Sequence, residues 1–80
     1  MMFKILYARF MVAYKETFLE GDKAKKATLD MINLALAAFR LYMIDLINDN
    51  ELSMIKCYYH YIGTCAVKYG LEDIWCGEVL

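Results

Sequence analysis

Proline is absent from this 80-residue chain, so no residue forces a helix to stop by removing a backbone donor. Glycine occurs only four times, too sparsely for a glycine-rich loop cradling a phosphate. Both scarcities favour helix over sheet or disorder. A single histidine, His60, excludes the paired-histidine metal motifs. The three cysteines are an odd, scattered set that suits a reducing compartment, and a disulfide-free cytoplasmic chain is expected. Cys57 and Cys65, eight residues apart on one helix, would stand ~12 Å apart along its axis, too far to bridge. The net charge of −1 lacks the basic footprint of a nucleic-acid binder. Residues 1–20 do not read as a signal peptide, because Arg9, Lys15 and Glu16 interrupt any apolar core.

Apolar material is abundant. Hydrophobic residues make up 61% of the chain, above the ~45–50% of ordinary soluble domains. One domain spanning 1–80 is expected, and a domain this small hides only ~60% of its unfolded surface. The surplus points to self-association, a protein partner or a membrane surface.

The longest apolar run is KATLDMINLALAAFRLYMIDLIN, residues 26–48. Laid out at ~100° per residue, its apolar arc covers roughly 200°, from Leu29 and Ile32 through Phe39 to Ile47. Leu34, Ala37, Leu41 and Ile44 fall even on the opposite arc, so neighbours are expected on more than one side. A membrane span is disfavoured, since Asp30, Arg40 and Asp45 would each cost ~2.5–3.5 kcal/mol near a bilayer centre. Peripheral membrane association remains an alternative.

The pattern predicts an all-α fold: a compact bundle of three main helices at about 2–20, 23–48 and 50–69, plus a short C-terminal helical turn or tail. In the first helix, Phe3, Leu6, Phe10, Tyr14 and Phe18 form the core-facing stripe. Gly21 is expected to end this helix in a positive-φ conformation, with Asp22, or alternatively Thr28, capping the next. Asp49 or Asn50 is expected to cap the third helix and Gly70 to end it. Gly63, mid-helix, implies close approach of another backbone.

Four groups carry the functional expectations. Ile5, Val12 and Leu19, spaced seven apart outside the main stripe, suit a helix-pairing seam for self-association into a homodimer or higher oligomer. Tyr59, Tyr61 and Trp75 are candidate partner-binding residues, as rigid rings with polar tips are favoured at interfaces. Trp75 belongs to a tail with Ile74, Val79 and Leu80 that is too apolar to be free. Lys23, Lys25 and Lys26, with Arg40, could hold an anionic ligand or a nucleic-acid backbone, against the bland reading of a solvated loop. Arg40 is further expected to pair with a carboxylate from another helix or chain, since its neighbours on the helix are apolar. Cys57 and His60 could supply at most half a zinc site. No catalytic residues, metal site or cofactor is expected, and the chain reads as a non-enzyme. The leading function is a cytoplasmic protein–protein interaction module that occludes a surface of a larger protein, as an adaptor or a small inhibitor does. A virus-encoded inhibitor would fit the size.

Overall fold

The computed structural model describes residues 2–75. Four helices follow in order: α1 (Met2–Glu16), α2 (Asp22–Met43), α3 (Asp49–Lys56) and α4 (Tyr59–Lys68). α3 and α4 form one bent unit, so the fold is all-α with three main helical bodies and a short C-terminal segment. α2 lies at the centre, and α1, α3 and α4 all pack against it.

The core follows from helical spacing. α1 buries Phe3, Leu6, Phe10 and Ala13. α2 buries Ala24, Ala27, Thr28, Met31, Ile32, Ala35 and Ala38, an arc of about 140° at ~100° per residue. Four alanines in that arc let the neighbouring helices approach closely. Leu52 and Ile55 of α3 and Ile62, Cys65 and Ala66 of α4 close the far side.

Each expected boundary shifts for a local reason. α1 ends at Glu16, not at residue 20. Its last turn tightens into i→i+3 bonds, from Thr17 N–H to the Tyr14 carbonyl, Phe18 to Lys15 and Leu19 to Glu16. A tighter turn advances ~120° per residue instead of ~100°. Phe18 already lies ~80° from Phe10 at helical spacing, the extra rotation moves it further from the core, and it stands 63% exposed. Thr17 takes the inward place at 7% exposure.

Gly21 does adopt φ 72°, but it sits at the N-cap of α2, and Asp22 lies inside the first turn. Thr28 is not a cap. It is buried mid-helix and returns its hydroxyl to the Ala24 carbonyl at 2.9 Å, a local bond that satisfies its polar group.

The central helix ends at Met43, five residues before the expected 48. Leu46 N–H bonds the Leu41 carbonyl, Asp45 N–H bonds the Tyr42 carbonyl, and Asp45 takes φ 63°. This is a Schellman closure with a non-glycine residue in the left-handed position. Asp45→Gly is expected to raise stability by about 0.5–1 kcal/mol, because glycine carries no Cβ penalty there. A thermal melt that falls instead would count against the assigned backbone. α4 closes in the same way at Gly70, as expected, with φ 70° and Leu71 N–H on the Ala66 carbonyl.

The third helix is not continuous over 50–69. It breaks at Cys57–Tyr58, where Tyr58 N–H bonds the Ile55 carbonyl three residues back. Its start is a capping box set one residue earlier than expected, at Asn48. Glu51 N–H donates to Asn48 Oδ1 at 2.8 Å, and Asn48 N–H donates to Glu51 Oε1 at 3.0 Å.

Candidate functional site

With the core filled, one aliphatic row of α1 remains outside. Ile5 is 63% exposed, Val12 57% and Leu19 49%. Seven residues advance an α-helix by two turns less about 20°, so Ile5 and Val12 lie nearly in line. Leu19 lies past the end of α1. Counted at ~120° per residue through the tightened turn, it falls about 40° from Val12 around the helix axis. Small, exposed Ala8 lies beside the row.

α1 and α2 run antiparallel, joined by a short turn. The groove between them on this side is lined by Arg9, Val12 and Glu16 of α1 and by Asp30, Asn33 and Leu34 of α2. Arg9 and Glu16 therefore flank the aliphatic row on its α2 side. Leu34 and Leu41, seven apart on α2 and half-buried, continue the apolar surface across the groove. The result is a two-helix apolar face carrying charges of both signs.

The aromatic candidates are placed differently. Tyr61 is half-buried within a cluster that links α1 to α4 through side chains. Its ring stands 5.1 Å from Tyr14 and 6.2 Å from Phe18 in edge-on contacts. Its hydroxyl lies 2.6 Å from Thr17 Oγ1. Thr17 donates its only proton to the Tyr14 carbonyl at 2.5 Å, so Tyr61 is the donor in the pair. Tyr58 joins the cluster at 5.3 Å from Phe10 and 4.9 Å from Tyr14.

Trp75 docks on its own chain. It is 8% exposed, meets Tyr59 edge-on at 5.0 Å and lies over Gly63. The neighbour of Gly63 is this indole, not a backbone: a Cβ built there would meet Trp75 Nε1 at 3.6 Å. An open cleft beside the indole is bordered by His60, Thr64, Val67 and Glu72. The remaining tail residues of interest, Cys76, Val79 and Leu80, lie outside the described residues.

Tyr59 carries a cost. Its hydroxyl is buried with no hydrogen-bond partner among the described residues, and burial raises its pKa above the ordinary 10.0. An unmade buried hydrogen bond costs ~1–3 kcal/mol. Tyr59→Phe is therefore expected to stabilise the fold by about 1 kcal/mol, seen as a higher urea midpoint. A lower midpoint would show that the hydroxyl has a partner.

Burial is also the leading cause that raises Tyr58 and Tyr61. The folded chain then holds these protons more tightly than the unfolded chain. Stability from them is intact below pH 10 and is lost as pH rises through the higher folded values. Ultraviolet titration is expected to show late-ionising tyrosines whose ionisation coincides with loss of helicity. Titration of all tyrosines at the ordinary value, with helicity unchanged, would contradict this.

The cations do not converge. Lys23, Lys25 and Lys26 are all exposed in the first turns of α2. Lys23 and Lys26 share a side, whereas Lys25 points about 160° away from Lys23. Arg40 lies ~21 Å further along the axis than Lys26 at ~1.5 Å per residue. Arg40 is itself exposed, so the burial cost behind its expected carboxylate partner does not arise.

Cys57 is exposed and Cys65 buried, both as free thiols. Among the described residues no three His, Cys, Asp or Glu side chains gather as a metal site, and no helix is long and apolar enough to cross a membrane. No known protein family, curated protein or solved structure matches the chain.

Proposed function

We propose that this chain is a non-enzymatic protein–protein interaction module that acts by covering a surface of another protein with its outer α1–α2 face. One observation carries the reading. The core is complete without Ile5, Val12 and Leu19, yet all three stand about half exposed or more, in a row, at 49–63%. Burying a side chain of this kind contributes ~1.5–3 kcal/mol, a gain left unrealised in the isolated chain. Rim charges of both signs suit a protein surface better than an anionic lipid or a nucleic-acid backbone. A second exposed apolar site, Met43, Ile44 and Leu46, carries Asp45 in its midst, which opposes an anionic membrane.

The test compares the wild-type chain with an Ile5→Glu/Val12→Glu variant as baits in native lysate. Both sites are exposed, so helicity is expected to stay unchanged by circular dichroism. A protein retained by the wild type and lost with the variant supports the proposal. Identical retention by both baits would rule this face out.

A further inference from the structure

We infer that the protein seated on the α1 face is a second copy of this chain, with the two α1 helices antiparallel and the two-fold axis passing beside Val12. The inference rests on reading this face as protein-binding, and it names the partner and the register.

The row is symmetric about its centre. Ile5 lies seven residues before Val12 and Leu19 seven after. In an antiparallel pair related by a two-fold axis, residues equally far on either side of the axis meet. Val12 then packs on Val12 of the second copy, and Ile5 packs on Leu19 of the second copy at both ends. Each aliphatic side chain finds an aliphatic partner, as an isologous interface requires.

Charge selects this register over its rival. The two-fold keeps a given flank of the seam on the same side in both copies. Arg9 and Glu16 share the flank facing α2, where both line the groove. With the axis at Val12, Arg9 comes within one residue of level with Glu16 of the second copy, and the contact occurs twice. The rival register centres between Ala8 and Arg9 and pairs Ile5 with Val12. It brings the two Arg9 guanidinium groups within one residue of level on the same flank. Like charges so placed oppose association, whereas reciprocal Arg–Glu contacts fix the register while adding little affinity of their own. Lys15 lies on the other flank, where the Val12 register sets it near small Ala8.

The experiment is sedimentation equilibrium of the whole chain at tens to hundreds of micromolar, with circular dichroism as the folding control. The wild type is expected to dimerise and Val12→Glu to remain monomeric with unchanged helicity. Arg9→Glu places like charges at both of these contacts and weakens the dimer about tenfold. Arg9→Glu/Glu16→Arg restores it. A second measurement does not depend on affinity. In a Cys57→Ser/Cys76→Ser background, Val12→Cys oxidises to a disulfide-linked dimer and Ala8→Cys does not.

A wild type that stays monomeric throughout overturns the inference. So does a double charge reversal no better than Arg9→Glu, or cross-linking at Ala8→Cys in place of Val12→Cys. A monomeric wild type leaves the lysate comparison free to decide separately whether the face binds another protein.

Discussion

Phe10→Ala is expected to destabilise the fold by about 3–5 kcal/mol, the range for removing a fully buried aromatic side chain. Phe10 is 0% exposed and stands where α1, α2 and the bent α3–α4 unit converge. Its ring contacts Tyr58 at 5.3 Å, and Tyr58 in turn touches Tyr14. Truncation therefore removes one of the aromatic contacts that join α1 to the α3–α4 bend and leaves a cavity that α2, lined with alanine, cannot fill. Small domains hold only ~5–15 kcal/mol in total, so the variant is expected to be largely unfolded by mild urea. Phe10→Leu, which keeps most of the volume, is expected to cost well under half as much. Urea titrations followed by circular dichroism measure both. A Phe10→Ala loss below about 1 kcal/mol would mean that this ring is not central to the core.

Trp75→Ala is expected to cost about 3 kcal/mol, the low end of the range for a buried aromatic because the site lies at the edge of the bundle. For a domain this small that corresponds to a fall in Tm of roughly 12–24 °C. The indole covers the α4 face at Gly63 and buries the ring of Tyr59. As the only tryptophan in the chain, it also reports its own docking. Its fluorescence is expected to shift in the same urea transition as the helical signal. Release of the indole at lower urea than the helices would show that the segment is a loose flap. Gly63 supplies a graded control. Gly63→Ala adds a Cβ at ordinary contact distance, 3.6 Å from Nε1. It is expected to stabilise α4 by up to ~1 kcal/mol through helix propensity. Gly63→Leu has no such room and is expected to displace the indole.

The all-α architecture and the central place of α2 were legible in the amino-acid order, because both rest on local periodicity. Apolar residues at helical spacing identify which side of α1 faces inward from Phe3 to Ala13. The same spacing leaves Ile5 and Val12 outside, so the exposed aliphatic row was visible before any coordinates. Gly70 marked its helix end because only a residue tolerating positive φ closes that turn without strain.

Tertiary structure decided the rest. The break at Cys57–Tyr58 has no sequence mark, since the apolar stripe of Leu52, Ile55, Ile62 and Ala66 runs through it in helical register. It is explained only by the Tyr58 ring turning toward Phe10 and Tyr14 on another helix. Asp45 ends α2 from a left-handed position that residue type alone does not announce. Phe18 read as core from its place four residues after Tyr14, but Thr17, seven residues after Phe10, takes the inward place, held there by the hydroxyl of Tyr61 from another helix. Trp75 read as docked either on its own bundle or on a partner, and the choice between them waited on its neighbours, Gly63 and Tyr59, which lie a full helix away in sequence. The physical reason is common to all four cases. Helical periodicity depends on residues three and four apart, whereas bends, caps of unusual type and docked aromatic rings are fixed by contacts between residues far apart in the chain.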